Sequence, residues 1–336
     1  MSTSVPVAAP VSTGLQGLLG IASRFQGYLG LVIVIVVGAV FSPYRHGVNL
    51  FLDPPNQAII LRDVAENGII AIGMTLVLIV GEIDLSVGSV LALVGTGMAW
   101  LLVNPHWGAA TTVVTALLAG LGVGLTNGFV TTRLRIPSFV ATLAMLSFAR
   151  GLARVCFGGI AIPVLPVPGL APESLFVLAK RVAGVPVPAL FLLVAAVVVG
   201  LVLRYSAFGR HIYASGGNPL AARLSGVAVD NTKVAVFGIC GLLVAVAAIV
   251  HVIQLSQGSP NDGMSYELNA IAAAVIGGTS LSGGVGKIAG TVAGAWMLGM
   301  IDNILGLNNI APDVQLVIKG VLIVVAATLQ RLQRHT

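Results

Sequence analysis

Gly81-Glu82-Ile83-Asp84-Leu85-Ser86-Val87-Gly88 sets two carboxylates and two glycines between apolar runs at about 64 to 80 and 88 to 103. A hydrocarbon core of about 30 Å takes around 20 helical residues to cross. Apolar runs of that order recur along the chain, separated by polar or Gly/Pro breaks. Outward from the quoted stretch they fall at about 28 to 41, 64 to 80, 88 to 103, 109 to 132, 138 to 157, 188 to 203, 233 to 253, 269 to 279, 287 to 306 and 312 to 330. The first, sixth and eighth are short, so one of them reads equally as a re-entrant segment and the count is nine or ten. Of the 336 residues 57% are hydrophobic and only 8% charged, against roughly 25% charged in soluble proteins. The fold expected is therefore all-α: a polytopic transmembrane bundle of about ten spans with interrupted helices, its main partner the lipid bilayer.

The 42 glycines agree with close helix packing in lipid, where small residues let backbones approach. Cys156 and Cys240 both lie at or within spans and read as packing residues, because a metal site needs more ligands. The net charge of +6 is not a signal for nucleic acid, since basic residues in a membrane protein also encode orientation. With the amino terminus in the cytoplasm, ten of the 17 basic residues fall inside, among them Arg133, Arg135, Arg204, Arg210, Arg223, Lys233 and Lys287; four fall outside, Arg45, Arg62, Lys180 and Arg181. The carboxyl terminus is then cytoplasmic too. Residues 1 to 24 read as a flexible cytoplasmic tail, 25 to 331 as one transmembrane domain, and 332 to 336 as a short tail. The stretch from Gly158 to Pro188 carries six prolines and reads as a stiff external loop.

A carboxylate at the bilayer centre costs roughly 2.5 to 3.5 kcal/mol on insertion scales, so such groups face a cavity, a partner or the interface. Glu82 and Asp84 therefore read either as a tight turn at the membrane surface or as a broken helix lining a polar path, with Ser86 and Asn127 as further polar candidates along it. Asn127 also suits a helix-helix hydrogen bond. Arg150 and Arg154 share a helix face and read as side chains reaching the outer interface. His251 has no partner within helical reach and reads as a single satisfied histidine. No alternating chain of acids and histidines is legible, which favours an uncharged, hydrogen-bonding solute. A second break, Gly277-Gly278-Thr279-Ser280-Leu281-Ser282-Gly283-Gly284, aligns with the first at an offset of 196 residues and suggests a repeat in parallel orientation. Its Leu-Ser-Gly-Gly is a chance match to an ATPase signature. The phosphate loop G-x-x-x-x-G-K-[ST] is not met around Gly286-Lys287, where Leu281 and Ile288 stand at the required Gly and Ser/Thr positions. Neither ATP hydrolysis nor other catalysis is expected of this chain, and neither a metal nor a cofactor.

The polar island from Arg204 to Lys233 carries its own helix signals. Asn218 suits the N-cap, Pro219 the first helical position and Gly226 a left-handed stop. A free helix of two turns is marginal in water. Something outside the segment must hold it.

These motifs together resemble the permease subunits of bacterial ABC importers for ribose, xylose and related monosaccharides. The resemblance spans about residues 58 to 333. It rests on Gly73-Met74-Thr75-Leu76, Ile83 to Ser89, Asn127-Gly128, Ile136-Pro137-Ser138-Phe139, Gly209-Arg210, Gly217-Asn218 with Ala221 to Gly226, and Ala272 to Gly284. Glu82 departs from the family, which commonly has Gly there. The resemblance implies import of a neutral monosaccharide across the inner membrane. It also implies a second permease copy, a cytoplasmic ATPase subunit that hydrolyses ATP, and a periplasmic sugar-binding protein. Residues 204 to 233 then correspond to the coupling segment, with Asn218, Pro219, Ala222, Arg223, Leu224 and Gly226 as the residues that meet the ATPase. A self-sufficient secondary transporter or channel for a small polar solute is the rival reading.

Overall fold

A computed structural model describes residues 30–103, 107–165 and 173–333. The expected tail 1 to 24 lies outside the described residues, as do residues 334–336. Each apolar run becomes a helix: α1 (Gly30–Phe41), α2 (Pro54–Ile79), α3 (Val87–Val103), α4 (Ala109–Arg133), α5 (Ser138–Phe157), α6 (Val187–Tyr205), α9 (Val229–Leu255), α10 (Tyr266–Ile276), α11 (Ile288–Leu307) and α12 (Pro312–Gln333). The polar island supplies α7 (Ala207–Gly217) and α8 (Pro219–Leu224). The chain is thus all-α in architecture and, with five helices long and apolar enough to cross a membrane among the described residues, a multi-pass membrane protein. Three shorter apolar helices, α1, α3 and α10, accompany them. With 11 residues, α10 is about 16 Å long at 1.5 Å per residue, half a hydrocarbon core.

Two boundaries differ from expectation for physical reasons. The second run starts early, at Pro54, because prolines at the first two helical positions cost no hydrogen bond and let polar residues extend the helix beyond its apolar part. The eighth stops at Ile276, where Gly277 caps α10 and Gly278 at φ +90° turns the chain.

The buried post of the bundle is α9, flanked by α2, α3 and α4. Its apolar window is 83% buried, against 22–33% for α4, α5 and α6, whose Leu, Val and Phe side chains face outward as lipid-facing residues do. Glycine sets the α4–α9 approach. A Cβ at Gly120 would lie 2.4 Å from the Gly241 carbonyl oxygen, and one at Gly124 would lie 2.2 Å from that of Phe237. The proline-rich stretch between α5 and α6 carries no α-helix among its described residues. Ile162–Pro163 pairs antiparallel with Gln257–Gly258, and a 3-10 turn at Glu173–Ala179 precedes a small hairpin of Arg181–Val182 with Val185–Pro186. Pro166, Pro168 and Pro172 lie outside the described residues.

Candidate functional site

The first break leaves backbone amides without helical partners, and inside a membrane protein these must be satisfied by neighbours. Side chains from α5 do this. Ile83 N donates to Ser138 Oγ at 3.1 Å and Leu85 N to Thr142 Oγ1 at 3.1 Å. Asp84, 3% exposed, accepts from Ser86 N at 2.8 Å and Ser86 Oγ at 2.6 Å. Asn127 Nδ2 reaches Ser86 Oγ at 2.9 Å and Asp84 Oδ2 at 3.5 Å, the latter too long to weigh much. Asp84, Ser86 and Asn127 thus form one buried cluster that fixes the start of α3. Glu82 stands apart, its carboxylate in an ion pair with Lys233 in the first part of α9.

Asp84→Ala removes the acceptor for two buried donors and is expected to cost about 1–3 kcal/mol, seen as a lowered unfolding temperature of the solubilised protein. Asp84→Asn keeps Oδ1 and is expected to retain the fold. Lost uptake with an intact fold in Asp84→Asn assigns a transport role to the charge itself.

The second break docks on the first and on the polar island. Gly284 N donates to Ile79 O at 2.8 Å, and Tyr213 Oη on α7 donates to Gly286 O at 2.8 Å. Burial pushes the Tyr213 hydroxyl above the usual tyrosine range, which keeps the donor protonated. Gly216, near the end of α7, sits where a Cβ would come within 1.6 Å of Ile79 O and 2.8 Å of Gly284 N. The two breaks are not conformational copies. Gly81 has φ +79°, whereas its aligned partner Gly277 is helical at φ −70°, and Gly88 lies within α3 while Gly284 has φ +74°.

The island itself is capped as its sequence specifies. Ser206 accepts from Gly209 N at 2.9 Å to begin α7, and Asn218 Oδ1 accepts from Ala221 N at 3.0 Å to begin α8. Pro219 opens α8, and Gly226 ends the turn at φ +84°. What the sequence reading missed is that α7 runs straight into Asn218, so the island is two abutting helices. Of the six residues singled out there, Ala222 is buried against the bundle, while Asn218, Pro219, Arg223, Leu224 and Gly226 are exposed. Arg223 pairs with Asp230 of α9. Leu220, also passed over, is 70% exposed and lies one helical turn from Leu224, 82% exposed.

Elsewhere the structure corrects two expectations. His251 is not a lone histidine: Nδ1 lies 2.7 Å from Glu66 Oε2 and Nε2 faces Asp262 Oδ2 at 3.4 Å, with Tyr266 Oη 3.4 Å from the same Glu66 oxygen. Glu66 inside an apolar run was the available signal. Arg150 and Arg154 do not simply reach for the outer interface. Arg150 donates to Pro260 O and Asp262 O, both at 2.6 Å, and Arg154 donates to Asn261 Oδ1 at 2.9 Å. They clamp the loop that carries Asp262.

The chain is similar to known transport proteins over most of its length. It is 38% identical to the ribose import permease protein RbsC of Bacillus subtilis (strain 168), covering 93% of this chain and 94% of that one. Identity to RbsC of Escherichia coli (strain K12) is 37%, over 90% and 91%. The xylose transport system permease protein XylH of Escherichia coli (strain K12) is 33% identical over 96% of both chains. No solved structure matches. A family model described as branched-chain amino acid transport system / permease component matches residues 57–327, and the chain belongs to that permease family.

Proposed function

We propose that this chain is the membrane-spanning permease of an ABC importer for a neutral monosaccharide, powered by ATP hydrolysed on a separate cytoplasmic subunit. The identity of 38% to a ribose import permease over 93% of the chain carries the reading. The chain pairs with a second permease copy and receives solute from a periplasmic sugar-binding protein, in an inner membrane whose cytoplasmic face holds both termini. In this arrangement α8 is the coupling helix. Capping makes it rigid, Leu220 and Leu224 give it an apolar outward face, and Ala222 seats it on the bundle. A push on α8 passes through α7 to both breaks by way of Gly216 and the Tyr213–Gly286 bond, and through α9 to the first break by way of the Lys233–Glu82 pair. Such a path moves one packed body against another rather than bending a helix. Glu82, Asp84, Ser86 and Asn127 then border the route at its broken helix. The three clustered residues hold its shape, and Glu82, neutralised by Lys233, adds no free charge to it.

The buried Glu66–His251–Asp262 cluster favours a second reading, ion-coupled transport by this chain alone, because buried acids and histidines often serve proton relays. One experiment separates the two. The tagged chain is coexpressed with the cell's own untagged ATPases, purified, and reconstituted for uptake. Copurification of an ATPase and uptake strictly dependent on ATP are expected. Solute flux driven by a proton gradient without ATP would overturn the importer reading.

A further inference from the structure

Between α2, α10 and α11 lies a cavity of about 320 Å³. That is the low end of the roughly 300–1,000 Å³ of small-molecule sites, suited to one small ring. Its polar lining comes from Asp63, Asn67, Tyr266, Asn269, Asp302 and Asn303, with Val64 among the apolar residues beside them. Two acceptors there are buried and receive no hydrogen bond from the described residues, Asn67 Oδ1 and Asp302 Oδ1. A buried acceptor left unpaired costs about 1–3 kcal/mol. Neither oxygen has surface open to the cavity, so a bound molecule meets the other polar atoms of the lining residues.

The charges around the cavity narrow the class of molecule. Asp302 Oδ2 is held by Lys319 at 2.8 Å and Asp63 Oδ1 by Arg62 at 3.0 Å, so each carboxylate already has its cation. No lining residue is a cation. An amino acid placed here would find acceptors for its ammonium but no cation in the lining for its carboxylate, which would lie beside Asp63 and Asp302. A sugar brings only hydroxyl donors and acceptors, and carboxylate and amide oxygens accept from hydroxyls readily. Tyr266 adds an aromatic wall, and its hydroxyl is held by Glu66 in the histidine cluster.

We propose that this cavity is a binding station for one neutral monosaccharide ring, its hydroxyls bonding to the polar side chains that line it, among them Asp63, Asn269 and Asn303. The assignment rests on the sugar-permease reading above and locates the solute on the half of the bundle facing the external loops. It accounts for import of a sugar by a member of a family whose description names branched-chain amino acids. The test uses the full chain with Cys156→Ser and Asn269→Cys in right-side-out membrane vesicles. Cys240 is buried and stays out of reach of reagent. A membrane-impermeant maleimide is expected to label the new cysteine. D-ribose or D-xylose at twice its dissociation constant is expected to slow labelling about threefold, in line with 1 + [L]/Kd, and L-leucine is expected to have no effect. Asn67→Cys serves as the second reporter. In parallel, Asn67→Leu is expected to lower pentose uptake about tenfold, equivalent to about 1.4 kcal/mol, while the solubilised protein keeps its unfolding temperature. Pentose uptake by the unsubstituted chain with no labelling, or with labelling that neither pentose slows, overturns the cavity assignment and leaves the functional reading standing. Uptake of leucine and of neither pentose overturns the functional reading, and the solute class assigned here with it.

Discussion

Gly216→Ala is expected to cut uptake at least about tenfold, although it adds a single methyl group. The added Cβ would stand 1.6 Å from Ile79 O and 2.8 Å from Gly284 N. Both are backbone atoms, and they are bonded to each other at 2.8 Å. No side chain can rotate away to make room. Either α7 withdraws from the two breaks or the Gly284–Ile79 bond opens. Overpacking of this kind costs about 1–3 kcal/mol and a lost buried hydrogen bond about as much again. The substitution is expected to lower the unfolding temperature of the solubilised protein and to cut uptake by at least about tenfold, since 1.4 kcal/mol at the junction already amounts to that factor. The neighbouring glycine provides the control. Nothing lies within 4 Å of a Cβ built on Gly217, so Gly217→Ala is expected to behave within about 0.5 kcal/mol of the parent. Wild-type uptake in Gly216→Ala would show that the contact between α7 and the breaks is dispensable.

The contrast between these adjacent glycines marks where sequence reading stops. Helix positions were legible because lipid imposes length and apolarity on each span, and ten runs became ten helices, with the largest shift at the start of α2, where Pro54 begins the helix some ten residues early. The α8 cap was legible because Asn218, Pro219 and Gly226 act within a few residues of one another. Asp84, Ser86 and Asn127 were named as polar candidates, yet their meeting depends on α4 packing against α3 and could not be read from spacing. The same holds for Glu66 and His251, 185 residues apart. Each looks isolated in its own span, and only the placement of α2 beside α9 joins them. Tyr213 and Gly216 had no signal at all, because a hydroxyl donor and a missing Cβ take their meaning from a backbone supplied by distant segments. Ser138 and Thr142 stand 55 and 57 residues along the chain from the amides they accept from. Their task, to satisfy amides freed by the first break, follows from the rule that membrane-buried backbone must find partners. That rule locates no partner until the fold is known.

Leu220→Asp combined with Leu224→Asp is expected to release the proposed ATPase partner and to leave the permease folded. The two leucines are 70% and 82% exposed and lie on one face of α8, so replacing them removes almost no packing from the bundle. Like charges one turn apart cost an isolated helix only about 0.2–0.5 kcal/mol, and α8 remains held by its Asn218 cap and by buried Ala222. Where an ATPase buries these leucines, a carboxylate in their place must be desolvated without a partner, at a cost of several kcal/mol. Each 1.4 kcal/mol weakens binding tenfold, so the loss of affinity should exceed about a hundredfold. Copurification of the ATPase and ATP-driven uptake are both expected to vanish while the unfolding temperature of the permease stays unchanged. Arg223→Glu bears on a different contact. It breaks an exposed pair with Asp230 worth no more than about 1 kcal/mol to the fold, and it sets a negative charge between the two leucines. Its effect on uptake therefore reports on the ATPase side of the interface. If the double leucine variant still copurifies the ATPase and still transports, the apolar face of α8 is not the docking surface. The Gly216 junction would then tie the two breaks together for the stability of the bundle alone.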